Sequence, residues 1–450
     1  MTILNNGYIY RMSTSEFDKY KVDHLFLLVG ENPLPNYVAA KLLLKEGGKP
    51  YLVFSEGTEK PAERLQEALD LSDNETVFLD NNESNAYEIK TRIRKKIKEL
   101  QKDFPEKKCF GLNYTGGTKA MAVHAYLALI SPDEKDLNIQ LNPPPVFSYL
   151  DSRNLKMLIE QSKNPEPLDI PSKPLELSLE KLFKLHGLTL SKPSKPDVTL
   201  RELVEAIVKN NLAWRNWCKN QLYIEGKEKE ELAQVKKDNH TEIYFKFGNW
   251  KHHKQLINAS FDITGLPEEI ISIMRQKDMI SPGEKLSVQH LKDLNILPKS
   301  SKNKKIPEEI CKWLEGIWLE DYVLQQLNSI KEECLLDEVG MSFNFPEKYN
   351  ITEFEFDVAC LRGYQLFAIS CTSSEDNSLC KSKLFEAYRR ARQMGGDEAR
   401  IALVCYYDKP EKIKQRFMSQ IPDHRVNVFG SGDIADLSTK LRDWIQGVDE

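Results

Sequence analysis

Two short stretches of this 450-residue chain carry residue types that could do chemistry. The first is Tyr114-Thr115-Gly116-Gly117-Thr118-Lys119. Glycines let a backbone approach a ligand closely, and hydroxyls at a helix start can cap it or meet a phosphate. Free N–H groups and the helix dipole favour an anion there, and Lys119 adds a positive charge. A plain helix N-cap is the competing reading. The second stretch is Glu353-Phe354-Glu355-Phe356-Asp357-Val358, whose carboxylates alternate with apolar residues and so share one strand face. A wet amphipathic strand would look the same. Glu320 shifts the balance: on a helical wheel it falls between Trp313, Ile317, Leu324 and Leu327, inside the apolar stripe. A carboxylate there is costly unless something positive meets it. A divalent cation shared by Glu320 and Asp357, with Glu355 as a further donor, would satisfy the group, and oxygen-only ligation is what Mg²⁺ or Mn²⁺ prefers. Downstream, Leu384, Ala387, Tyr388 and Ala391 define an apolar helix face on which Lys381 falls if the helix already runs there. Lys381, and after it Lys383, is read as a lysine turned to a scissile phosphate or to Asp357, against the alternative of a snorkelling surface lysine. Arg389, Arg390 and Arg392 offer a local positive patch for a nucleic-acid backbone.

The elements that must hold these residues follow from periodicity. Apolar strands at 24–30, 51–55, 76–80 and 109–113 alternate with helices at 37–46, 61–69, 87–100 and 118–130. Such alternation implies right-handed βαβ crossovers and a parallel sheet covered on both faces, hence a Rossmann-like α/β domain. The Thr-Gly-Gly-Thr-Lys turn follows the fourth strand. Residues 30–36, containing Asn32, Pro33 and Asn36, follow the first, and Ser55-Glu56-Gly57-Thr58 follows the second. All three loops lie at carboxyl ends of parallel strands, where α/β sheets bind ligands. Neither G-x-G-x-x-G nor G-x-x-x-x-G-K-[ST] occurs there, which argues against a dinucleotide site and against a P-loop. Prolines and lysines between 160 and 198 read as a linker around one short helix, and the stretch to 305 as a small helical, winged-helix-like insert with a strand at 241–247. Trp214, Trp217, His252 and His253 are taken as core aromatics and surface histidines. The lysine-rich 299–305 is taken as a solvated connector. From 307 the order is helix, strand (354–360), strand (365–372), helix (380–393), strand (399–406), which suits a restriction-endonuclease core. The expected division is therefore 1–160, 161–305 and 306–450.

Composition sets the outer limits. Lys and Arg number 63 against 68 Asp and Glu, a formal charge of −5, so no global polycation drives nucleic-acid binding and any such contact is local. Eight scattered cysteines without a C-x-x-C pair resemble reduced cytosolic thiols. Without an apolar leader or a run of about 18 apolar residues, the expected location is cytoplasmic, with no membrane span.

At the Gly-rich turn the chain resembles a known family. NYTGGTKAMAVHAY, with VGENPLPNYVAA before it, looks like the CARF (CRISPR-associated Rossmann fold) sensor domain over roughly the first third of the sequence. The resemblance implies a homodimer that binds a cyclic oligoadenylate, with cyclic tetra-adenylate the expected ring, across its two-fold axis. Carried onto this sequence, the contacts are Asn32, Pro33, Asn36, Ser55, Glu56, Gly57, Thr115, Gly116, Gly117, Thr118 and Lys119. GIWLEDYV followed by EFEFDVACLRGYQLFAISCT is similar to the PD-(D/E)xK nuclease domain that accompanies such sensors. There an Asp ends one strand and a carboxylate-x-Lys triplet occupies the next. Asp357 matches the Asp, but the triplet reads Ser370-Cys371-Thr372, so the second acid and the strand lysine are missing. The resemblance then implies that Glu355 replaces the acid and that Lys381 or Lys383 is a lysine relocated to the helix. The expected function is a metal-dependent nuclease of type III CRISPR antiviral defence that cuts DNA, RNA or both when the messenger is bound. Two alternatives stay open: a non-catalytic messenger-binding effector with a degenerate nuclease domain, and a phosphodiesterase acting on the ring itself.

Overall fold

The alternating pattern of the first half becomes a doubly covered sheet in the computed structural model, which describes residues 15–103, 108–130, 141–222, 257–295, 306–347 and 353–447. In chain order the elements are β1 (Val22–Leu28), α1 (Leu34–Leu43), β2 (Leu44–Phe54), α2 (Glu59–Leu69), β3 (Thr76–Phe78), α3 (Ala86–Asp103), β4 (Phe110–Asn113), α4 (Lys119–Ile130), β5 (Val146–Asp151), β6 (Lys156–Ile159), β7 (Glu166–Asp169) and α5 (Leu179–Leu185). The strands order as β3-β2-β1-β4-β5-β6-β7. Neighbours from β3 to β5 run parallel, and β6 and β7 close the edge antiparallel. Phe26, Leu28, Val53, Leu112, Ile93 and Met121 form the core between strands and helices.

Element boundaries differ from the periodicity in ways that have physical causes. Helix α1 begins at Leu34, ahead of 37, because the Asn32 Oδ1 accepts from the Leu34 amide at 3.1 Å and Pro35 suits the first turn. It stops at Leu43, and β2 already starts at Leu44, which pairs with Val22 of β1; regular pairing resumes at Lys49 opposite His24, with residues 45–48 spanning the register shift between. Strand β7 lies in the stretch read as linker: four residues with one inward leucine carry little apolar signal. By contact this first unit comprises residues 1–189 together with 362–366 and 392–399.

The second unit comprises 190–361, 367–391 and 400–450. Its elements are α6 (Arg201–Lys209), α7 (Asn211–Leu222), β8 (Ser260–Asp262), α8 (Glu268–Gln276), β9 (Lys285–Ser287), α9 (Val288–Leu294), α10 (Ile306–Lys312), α11 (Trp318–Ser329), β10 (Glu338–Phe345), β11 (Phe354–Arg362), β12 (Gln365–Thr372), α12 (Asn377–Gly395), β13 (Arg400–Cys405), α13 (Pro410–Met418), β14 (Val426–Phe429) and α14 (Leu437–Gln446). A five-stranded sheet orders as β10-β11-β12-β13-β14, antiparallel between β10 and β11 and parallel from β12 to β14. Gly363, at a φ of +62°, makes the two-residue turn between β11 and β12 possible. Strands β10 and β14 were not anticipated. The helical middle region, with its two-stranded β8–β9 ribbon, shares one core with the five-stranded sheet: Val198, Leu203, Trp214 and Ile270 belong with Trp318, Val358, Phe367 and Leu441. Trp214 and Trp217 are core residues, their ring N–H groups donating to Leu314 O and Asp262 O. The strand expected at 241–247, His252, His253 and the 299–305 connector lie outside the described residues. No helix among the described residues is long and apolar enough to cross a membrane.

Candidate functional sites

The strand order 3-2-1-4 reverses direction between β1 and β4, and the loops leaving those two strands flank the crevice that such a reversal opens. They are built against each other. A Cβ at Gly116 would collide with Leu28 O and would stand 3.0 Å from Gly30 N, so only glycine lets the two loops meet. Gly117 has φ +73°, the left-handed region. Asn36 is fully buried and donates through Nδ2 to Leu28 O at 2.9 Å, so it braces the end of β1 from beneath. Its Oδ1 has no hydrogen-bond partner among the described residues. Thr115 accepts from Leu150 N at 2.7 Å, tying the turn to β5. Thr118 caps α4, accepting from Met121 N at 3.1 Å and donating to Glu83 O at 2.9 Å. Lys119, Thr118, Glu56 and Gly57 are exposed, while Pro33 and Ser55 are buried. The structure thus brings an outward set (Thr118, Lys119, Glu56, Gly57) above an inward set (Asn36, Pro33, Ser55, Thr115) whose hydrogen bonds shape the loops. Asn32 lies between them, half-buried. Beside the turn, one carboxylate gathers two phenols: Glu160 accepts from Tyr114 at 2.6 Å and from Tyr126 at 2.9 Å, and burial first, then this carboxylate, raises the Tyr114 hydroxyl. Sequence reasoning did not find Glu160, because nothing local marks a residue on the loop after β6.

In the second unit, α11 carries Glu320 and β11 carries Asp357. The helix from Ile306 to Ser329 is interrupted by a π turn at Trp313–Ile317, and Gly316 lets it press against the end of β12, since a Cβ there would stand 3.2 Å from Ser373 Oγ. One residue of extra winding sets which way Glu320 faces. Asp357 Oδ2 accepts from Ser370 Oγ at 2.9 Å and from the Cys371 amide at 2.6 Å, so the first member of the Ser-Cys-Thr triplet hydrogen-bonds the very Asp it follows in space. Thr372 turns instead to the loop beyond, accepting from Ser374 N at 3.3 Å.

Electrostatics show which charges share the site. Burial, then the charges of Asp357, Glu355 and Asp321, pushes the Glu320 carboxyl well above the usual carboxylate range, and Lys383 pulls it back. Burial likewise raises Asp357, opposed by Lys383 and the two hydrogen bonds from β12. The Cys371 thiol is held high by burial and by both carboxylates. Lys383 is therefore the lysine whose charge reaches Glu320 and Asp357. Lys381 lies elsewhere on α12, its Nζ 5.8 Å from the Phe385 ring centre. Glu355 is exposed, with Asn344 Nδ2 3.4 Å from its Oε1, and contributes as a neighbouring charge. Glu353 precedes β11 and is exposed. The arginines expected as a patch are engaged singly: Arg390 is buried with its guanidinium 4.1 Å from the centre of the Phe354 ring, Arg392 pairs with Asp397 at 3.1 Å, and Arg389 is exposed. Among the described residues no group of three or more His, Cys, Asp or Glu is arranged to hold a metal ion.

No family model matches this chain, and no curated protein matches it. Solved structures do. Can2 from Sulfobacillus thermosulfidooxidans, solved in complex with cyclic tetra-adenylate, superposes with a TM-score of 0.60 at 16% identity, covering 94% of this chain and 99% of that one. Protein VC1899 from Vibrio cholerae superposes with a TM-score of 0.62 at 14% identity over 94% of this chain and 98% of that one. The chain has the fold of these two proteins. A parallel-rich α/β sheet followed by a second, mixed α/β sheet is thus the architecture shared over 94% of the chain.

Proposed function

We propose that the chain is a cyclic-oligoadenylate-gated nuclease of type III CRISPR defence, with cyclic tetra-adenylate as the messenger and DNA, RNA or both as substrate. One observation carries the nuclease reading: Lys383, half-buried on α12, bears on the same half-buried carboxylates, Glu320 and Asp357, that α11 and β11 bring together. A lysine beside two acids is what the Ser-Cys-Thr triplet lacks, and here a helix offers it. The fold shared with Can2, which was solved with cyclic tetra-adenylate, supports the sensor half.

The residues fit a divalent cation in a limited sense. Burial and mutual repulsion push both carboxyls up, and the hydrogen bonds from Ser370 and the Cys371 amide to Asp357 both end on Oδ2. Mg²⁺ or Mn²⁺ commonly takes one or two carboxylates and fills the rest of its shell with water and substrate phosphate, so two acids suffice where a three-donor cage is not assembled. When bound, such an ion supplies charge stabilisation at the phosphoryl oxygens and an activated water. Asp357 and Glu320 orient that centre, Ser370 and the Cys371 amide fix the Asp357 rotamer, and Lys383 neutralises charge developing on the scissile phosphate. Glu355 stands ready at the exposed rim. In the first unit, Lys119, Thr118 and the α4 N-terminus receive messenger phosphates. Two copies of that site belong to a homodimer: α4 is apolar nearly all round and leaves Val123 and Ile130 exposed.

A second reading, a messenger-binding effector without catalysis, is favoured by the missing acid and strand lysine of the triplet. Cleavage of plasmid DNA and of labelled single-stranded RNA with Mg²⁺ or Mn²⁺, with and without cyclic tetra-adenylate, separates the two. Messenger-dependent cleavage abolished by Asp357→Ala supports the nuclease. Tight messenger binding with no cleavage under any metal supports the effector.

A further inference from the structure

Glu398 is an acid the nuclease reading does not use, and it is almost wholly buried, with 2% of its surface exposed. It sits on the 392–399 segment, which packs within the first unit. Its Oε2 accepts from Asn32 Nδ2 at 2.9 Å, across 366 positions of sequence. Asn32 is thereby held at both ends, because its Oδ1 accepts from Leu34 N at 3.1 Å at the start of α1. Two further contacts fix the segment around this bond. The Glu398 carbonyl accepts from Gln365 Nε2 at 3.0 Å, at the first residue of β12, directly after the turn from β11. Gly396, at φ +67°, passes so close to the Asn32 amide that a Cβ there would stand 2.7 Å from Nδ2.

We infer that Glu398 is a positioning residue that couples the messenger loop to the nuclease elements: its side chain holds Asn32, its backbone holds the β11–β12 turn, and its chain neighbours lead directly into α12 and β13. This rests on the proposed sensor role of the loop containing Asn32. A buried carboxylate is costly without a donor, and removing one partner of such a pair leaves that cost uncovered. A messenger that turns the Asn32 amide to itself takes a donor from Glu398, and the 392–399 segment must then answer. That segment is one end of α12, the helix that carries Lys383. The turn held by Gln365 joins the strands that carry Asp357 and Ser370. Occupancy of the loop is in this way written into the placement of Lys383, Asp357 and Ser370 without any residue touching both ligand and substrate.

The test uses the full-length protein and three variants: Glu398→Leu, which removes the acceptor; Glu398→Gln, whose amide oxygen still accepts from Asn32; and Gly396→Ala, which crowds the Asn32 amide. Cyclic tetra-adenylate affinity is measured by calorimetry, and cleavage with and without the ring gives the activation ratio. The expected result is a Glu398→Leu protein whose affinity stays within about threefold of the parent while its activation ratio falls at least about tenfold. Glu398→Gln keeps both. Gly396→Ala behaves as Glu398→Leu does, so that a leucine variant which fails to fold leaves the alanine variant to decide. An unchanged activation ratio in Glu398→Leu, or in Gly396→Ala where the former does not fold, overturns the inference. So does loss of affinity in proportion to the loss of activation, which would make Glu398 a brace for the loop alone. A parent protein that binds no cyclic tetra-adenylate, or that cleaves equally without it, defeats instead the sensor reading on which the inference rests.

Discussion

Two lysines two residues apart on one helix face different chemistry, and the difference is testable at single residues. Lys383 bears on Glu320 and Asp357, whereas Lys381 covers Phe385. Lys383→Ala should therefore lower messenger-stimulated cleavage about 10²-fold, the scale of removing one donor from a charge-stabilising site, and Lys381→Ala should change it by less than about threefold. Rates of plasmid and RNA cleavage measured side by side decide; equal losses would reject Lys383 as the relocated lysine. The two acids make a second prediction, of stability against pH. Their folded pKa values lie above the ordinary values of 4.5 and 3.8, so the folded state binds more protons than the unfolded state in the window above those values. The stability they contribute is fully present below about pH 4 and is lost as pH rises through their raised folded values. In chelator, the thermal midpoint of the parent should fall across that window towards neutrality. Asp357→Asn, which can still accept from Ser370 and Cys371, should flatten the fall and gain about 1 kcal/mol at pH 7. A lower midpoint for Asp357→Asn at pH 7 would contradict the strain assigned to the pair.

Among elements, the helix before Glu320 shows most clearly what a sequence reveals and what it hides. The apolar stripe of Trp313, Leu324 and Leu327 placed Glu320 on an inward-looking face, and the residue is half-buried among buried neighbours. The π turn that precedes it was not legible, since one extra residue of winding leaves the apolar pattern nearly intact while rotating everything beyond it. Legible too were the parallel strands β1 and β4 and the hairpin β11–β12, long apolar or alternating runs closed by turns. Less legible were β7, with one inward leucine, and the start of β2 at Leu44, where a single pairing with Val22 precedes a polar, irregular stretch before regular pairing begins at Lys49. The Asp357–Ser370 bond and the Asn32–Glu398 bond depend on strands and segments brought together only by the fold. The π turn carries its own prediction. Gly316 leaves no room for a branched side chain beside Ser373, so Gly316→Val should lower stability by about 1–3 kcal/mol and reduce cleavage, with cyclic tetra-adenylate affinity retained. Thermal melts, calorimetry and cleavage assays on one preparation check it; full cleavage in a folded Gly316→Val protein would show that the helix register does not set Glu320.

For the molecule as a whole, a formal charge of −5 means that association must be carried by local surfaces, and α4 is the surface that stands out. Its inner face packs on the sheet through Met121, Ala125, Ala128 and Leu129, yet its outer face offers Val123 at 55% exposure and Ile130 at 47%. Nothing is gained by leaving these residues in water, and covering them with a second copy stabilises by about 25 cal/mol for each Å² of apolar surface removed. The N-terminus of this same helix follows the Thr-Gly-Gly-Thr-Lys turn. A two-fold contact along α4 would present the turn twice, and a ring of phosphates with internal symmetry can engage both copies at once. The parent should sediment as a dimer at micromolar concentration. Val123→Glu places a charge in that contact at a site exposed in the isolated chain, so it should leave the fold intact, shift sedimentation to the monomer and weaken cyclic tetra-adenylate binding by at least about tenfold, or about 1.4 kcal/mol. The two effects are expected to move together with protein concentration. A Val123→Glu monomer that binds the ring as tightly as the parent would show that one copy of the loops suffices, and a parent that stays monomeric with tight binding would remove the two-fold contact from the mechanism.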